Sequence, residues 1–155
     1  MNYVLEFAFG IGFAAGLRAF TPPAIVAWAA HLGWLHLNNS PLAFMGTTIA
    51  VVIFSLLAVF ELIGDLRPQT PKRTAPVPLV ARILTGGLCG ACLCATSHQS
   101  LIVGGILGGV GGLIGAFAGY ETRRRLVAAL NIKDTFIALL EDLVTIGLAY
   151  FFVTR

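Results

Sequence analysis

Charged side chains are scarce in this sequence: 10 Lys or Arg and 7 Asp or Glu among 155 residues, 11% of the chain, against roughly 25% in a soluble globular domain. With 57% hydrophobic residues and a mean hydropathy of +0.89, water is excluded as the main solvent. One lipid-embedded domain, 1–155, is implied. No Lys or Arg precedes the first apolar run, which contains Glu6. The basic n-region of a cleaved signal peptide is missing, so Met1 is expected to stay. The net charge of +3 sits mostly in short connecting segments, which argues for a topology signal and against nucleic acid as a partner.

Cysteine is confined to Cys89, Cys92 and Cys94, inside one apolar segment. Neither a second Cys pair nor a nearby His completes a tetrahedral ligand set. They read as small apolar residues against a neighbouring helix rather than as a soft-metal or redox site. His31, His36 and His98 match no metal-binding spacing. The P-loop, the His-Glu-x-x-His pair, the Ser nucleophile elbow and the dinucleotide-binding fingerprint followed by an acidic residue are all missing. No metal and no cofactor is expected.

What the sequence has in quantity is long apolar runs and glycine, 18 in all. Uncharged or nearly uncharged stretches at about 41–63, 77–96, 101–120 and 135–153 are each long enough to cross about 30 Å of hydrocarbon at 1.5 Å per residue. The first 36 residues hold two shorter apolar pieces, 3–17 and 22–36, around Arg18-Ala-Phe-Thr-Pro22-Pro23. Two prolines end one helix and suit the first turn of the next. The expected fold is an all-α, polytopic transmembrane bundle of five or six helices with glycine-rich packing.

Basic residues set the orientation. Arg67, Lys72 and Arg73 lie between the first two long runs, and Arg123, Arg124, Arg125 and Lys133 between the last two. Both loops are expected to be cytoplasmic, with the connections at 31–40 and 97–100 and the end at Arg155 outside. Trp28, Trp34 and Tyr150 would sit in an outer interfacial belt. The positive-inside pattern favours six crossings; the length of the two N-terminal pieces favours five.

Two sets of short internal matches point different ways. Arg18-Ala-Phe-Thr21 resembles Arg82-Ile-Leu-Thr85, and Phe60-Glu61 resembles Tyr120-Glu121, suggesting a helix-pair repeat with six crossings. Leu5-Glu6 with Ile11-Gly12 matches Leu140-Glu141 with Ile146-Gly147, which would run the first and last helices in one direction and give five.

Gly104, Gly108 and Gly112 fall on one helical stripe, and Gly111, Gly115 and Gly119 on another. Four-residue spacing of this kind lets backbones approach closely, within the chain or in a homo-oligomer. Charges within apolar segments are costly and are seldom left facing lipid. Glu61 and Asp65 share a helix face, and Glu141 and Asp142 lie about six residues into the last span. On the expected topology all four approach the cytoplasmic side, with Arg82, Glu121 and, in the six-helix form, Arg18. They are the candidate polar cluster, for ion binding or for helix registry. The proline-rich loop with Arg67, Lys72 and Arg73 is a solvated turn facing anionic headgroups, or a phosphate-binding loop.

Gly16-Leu-Arg18-Ala-Phe-Thr-Pro-Pro23, Glu61-Leu-Ile-Gly-Asp65 with Thr70-Pro-Lys-Arg-Thr74, and Ala138-Leu-Leu-Glu141-Asp142 together resemble a family of small bacterial inner-membrane proteins catalogued as a domain of unknown function. The resemblance implies a multi-pass protein of the bacterial plasma membrane and carries no activity with it. The leading functional expectation is an oligomeric ion- or proton-coupled transporter or channel using the intramembrane carboxylates. The alternatives are binding or modification of a phosphorylated lipid at the cytoplasmic leaflet, and an accessory subunit docking through glycine faces. The expected partners are the lipid bilayer, a second copy, and a small ion or phosphorylated lipid.

Overall fold

The computed structural model describes residues 3–67, 74–131 and 133–155. Among them are six α-helices and no strand: α1 (Tyr3–Leu17), α2 (Thr21–His31), α3 (Thr48–Asp65), α4 (Pro76–Thr96), α5 (Leu101–Leu130) and α6 (Asp134–Thr154). The last four are long and apolar enough to cross a membrane, and α1 is a shorter apolar helix. The chain is a helical membrane bundle.

Helix ends follow local chemistry. The first long apolar run begins near residue 41, yet α3 begins only at Thr48: residues Ala43–Gly46 form a single 3-10 turn, and the Thr47 side chain accepts the Ala50 N–H at 3.2 Å as an N-cap. At the other extreme α5 runs ten residues past its apolar stretch, to Leu130. Its charged extension is held helical by Glu121, which accepts from Arg124 at 3.0 Å and from Arg125 at 2.7 Å, three and four residues on. Asn131 then ends the helix in the left-handed conformation.

The direction of each helix follows from its contacts. Gly86 of α4 meets Gly108 and Arg82 meets Gly112, so α4 and α5 are antiparallel; Phe9 meets Gly111 and Gly16 meets Gly115, so α1 and α5 are parallel. Phe7 packs on Phe151 and Phe152 while Arg18 pairs with Asp142, which runs α6 against α1. Glu61 reaches Phe20 and Gly46 reaches His31, which runs α2 against α3. Successive helices therefore alternate in direction. The match of Leu5-Glu6 to Leu140-Glu141 has no counterpart in this arrangement.

The centre is built from glycine. A methyl group at Gly86 would stand 2.6 Å from the Gly108 carbonyl oxygen, and one at Gly112 2.6 Å from that of Arg82. The stripe Gly104, Gly108, Gly112 lies against α4, and the stripe Gly111, Gly115 lies against α1. Both stripes are thus occupied by helices of the same chain. Cys89, Cys92 and Cys94 are buried beside them, Cys94 against Gly104. The exterior carries the large side chains, among them Phe60, Leu84, Ile106 and Leu143. This inversion, small residues inside and large apolar ones outside, suits a lipid solvent, where close backbone packing replaces the hydrophobic effect between helices.

A charged cluster at one end of the bundle

The cluster begins with a broken helix. The last bond of α1 runs from the Arg18 N–H to the Ala14 carbonyl at 3.0 Å, and Pro22 and Pro23 open α2. Proline brings no N–H, so two of the donors a helix start normally leaves open do not exist here. The N–H groups of Ala19 and Phe20, just upstream, are taken by Glu61, whose two carboxylate oxygens accept them at 2.8 and 2.9 Å. The carboxylate thereby faces the positive end of α2. Because the Phe20 N–H goes to Glu61, the Gly16 carbonyl has lost its helical donor. Arg82 replaces it, donating from Nε at 3.0 Å, and places Nη2 3.4 Å from Glu61 Oε1. Arg82 and Glu61 together repair the break.

The second half of the cluster surrounds Arg18, which is 1% exposed. Its Nη1 donates to Asp65 Oδ2 at 2.5 Å, and its Nε forms an ion pair with Asp142 Oδ1. Arg123 of α5 stands beside it: Nε and Nη2 fork onto Asp134 at 2.7 and 2.5 Å, while Nη1 lies 3.8 Å from both Asp65 and Glu141. Three buried atoms have no hydrogen-bond partner among the described residues: Arg18 Nη2, Asp142 Oδ2 and Arg18 Nε, the last of which meets Asp142 as an ion pair alone.

Glu61, Asp65, Glu141, Asp142, Arg18 and Arg82 therefore occupy one region, contributed by α3, α4, α6 and the α1–α2 break. Glu121 does not join it; it pairs on the exposed side of α5 with Arg124 and Arg125. Arg67 is exposed just beyond α3, and Lys72 and Arg73 lie outside the described residues. Gly104, Gly108, Gly112 and Gly115 serve the helix seams, and Gly119 is buried beside a cleft between α5 and α6. His31 places Nδ1 2.9 Å from the Gly46 carbonyl oxygen.

Arg123 is the cluster residue that the basic triplet concealed. Its signal was phase: 123 continues the four-residue series 111, 115, 119 on the side of α5 that faces α1.

The chain matches the family described as Domain of unknown function (DUF4126) over residues 5–154. No curated protein matches it, and no solved structure does.

Proposed function

From the premise that the chain belongs to the DUF4126 family, matched over residues 5–154, we propose that it is a six-pass protein of the bacterial plasma membrane. Its charged cluster takes up and releases a proton or small cation as part of ion- or proton-coupled transport. The alternating helix directions support six passes, and the basic residues Arg123, Arg124 and Arg125 support a cytoplasmic position for the cluster end.

The observation that carries the functional part is the set of unmatched atoms on Arg18 and Asp142. A purely structural ion-pair network gains stability only when its buried donors and acceptors are satisfied. Here the repair half, Glu61 and Arg82, is bonded to backbone and to itself, whereas the Arg18 half ends in an acceptor, Asp142 Oδ2, and two donors, Arg18 Nε and Nη2, that have no hydrogen-bond partner among the described residues. Asp142 is adjacent in sequence to Glu141, and Arg18 and Arg123 both reach Asp65. Protonation of one carboxylate, or arrival of a cation, would redistribute the two guanidinium groups among the remaining acids. That is the property a coupled carrier needs.

The test is flux in proteoliposomes. Protein reconstituted under an imposed proton, sodium or potassium gradient should dissipate at least one of them faster than empty vesicles. Glu141→Gln should remain folded and lose that flux. Wild-type protein indistinguishable from empty vesicles for all three ions, or a Glu141→Gln variant with full flux, refutes the reading.

A further inference from the structure

An alkali cation enters a protein site by exchanging its hydration shell for several oxygens at once. Among the described residues no three Asp, Glu, His or Cys side chains come together in a group that could hold a metal ion. Guanidinium groups stand between the acids instead: Arg18 between Asp65 and Asp142, and Arg123 against Asp134 with Asp65 and Glu141 beyond it. At such distances a fixed cation repels a second one. The Gly16 carbonyl, freed by the α1–α2 break, is taken by Arg82.

A proton needs only one lone pair. Glu61 accepts the N–H groups of Ala19 and Phe20, Asp65 accepts from Arg18, Asp134 holds Arg123, and Asp65 and Glu141 have further partners. Asp142 Oδ2 is the only buried carboxylate oxygen among the described residues that has no hydrogen-bond partner. We infer that the charge handled by the cluster is a proton and that it binds Asp142 at Oδ2, which names the ion for the coupled transport proposed above and rests on that proposal.

The step balances with water as the proton source. The proton forms the Oδ2–H bond, the carboxylate becomes a neutral acid, and Arg18 Nε no longer faces an anion there. Arg18 keeps its charge and its bond to Asp65. Leaving a buried charge uncompensated is what makes breaking a buried pair expensive, and here none is left. Arg18 is suited to this exchange: it is 1% exposed, its Nε and Nη2 have no hydrogen-bond partner among the described residues, and it reaches acids on two helices, α3 and α6. The charges that face Asp142 are Arg18 from the break, Asp65 from α3 and Glu141 beside it on α6, with Arg123 of α5 3.8 Å from both of those acids. α1 and α2 bring Glu6 and His31 only at their far ends. Release to water reverses the step and restores the ion pair.

The full-length protein in detergent is taken from alkaline to acidic buffer and followed by infrared difference spectroscopy. A band of a buried protonated carboxyl group should appear, be lost in Asp142→Asn and persist in Glu141→Gln. Should Asp142→Asn fail to fold, Asp142→Glu, which keeps the acid, should shift that band. In proteoliposomes a proton gradient should be dissipated, while sodium and potassium gradients are held as in empty vesicles. The inference is overturned if no such band appears, if the band is undiminished in folded Asp142→Asn or unshifted in Asp142→Glu, or if sodium or potassium carries the flux. Flux of no ion with the Asp142 band present would remove the transport proposal and leave the proton site standing, so the two fail separately.

Discussion

Arg82 donates its Nε hydrogen to the carbonyl of Gly16 at 3.0 Å, across 66 residues of sequence, and so supplies the bond that α1 loses where the chain breaks before Pro22. The same guanidinium reaches Glu61, which holds the backbone of Ala19 and Phe20. One ion pair thus carries both ends of the discontinuity.

Arg82→Met keeps the length of the side chain and removes its donors. It leaves the Gly16 carbonyl and the Glu61 carboxylate without their partner at a buried site, and loss of one member of a buried pair costs about 3–5 kcal/mol. Thermal unfolding in detergent should register that loss. Wild-type stability in this variant would show that the break is held by something else.

Asp134→Asn provides the contrast. Asp134 also forks with an arginine, Arg123, but its side chain is 59% exposed. Exposed pairs contribute at most about 1 kcal/mol, so its melting temperature should fall much less than that of Arg82→Met. An equal fall would contradict the division between buried and exposed pairs.

The glycine seams make a third prediction. Gly108→Leu and Gly112→Leu put a side chain where the backbones of α4 and α5 meet and remove the dispersion contacts along the seam. Ile106→Leu, on the same helix but 60% exposed, conserves volume. Size exclusion of detergent-extracted protein should show lost yield or aggregation for the glycine variants alone. Unchanged profiles for both would sink the close-packing account.

Much of the fold was legible because it depends on local signals. Four long apolar runs gave four helices, and Pro22-Pro23 marked the one interior break. The errors at helix ends arise where a local feature outweighs hydropathy: capped by Thr47, α3 starts about seven residues after its apolar run does, and the Glu121 pairs carry α5 through a charged stretch that reads as a loop. Burial of charge marked Glu61, Asp65, Glu141, Asp142, Arg18 and Arg82 as candidates. Their division into a repair pair and an unsatisfied half could not be read, because it turns on which backbone groups the α1–α2 break exposes. Arg123 was obscured for the same reason, since three consecutive arginines on a helix point three ways and only the packing of α1 on α5 selects one.

Topology is tested by single-cysteine labelling in intact cells. The native Cys89, Cys92 and Cys94 are buried and are replaced by Ala or Ser first. Cysteines at Tyr3 and Ser97, both exposed, should react from outside, and one at Arg125, 78% exposed, only after permeabilisation. A Tyr3 cysteine protected in intact cells would mean five crossings.

The central claim is that the Arg18 half of the cluster handles the transported charge while the Arg82 half holds the fold, and Asp142→Asn separates the two most directly. The amide keeps the shape of the side chain and removes its charge, and Arg18 retains Asp65. Flux in proteoliposomes and melting in detergent are measured on the same preparation. The account predicts folded protein with its ion flux abolished. Flux equal to wild type, with or without a lowered melting temperature, would contradict it and leave the cluster a structural brace.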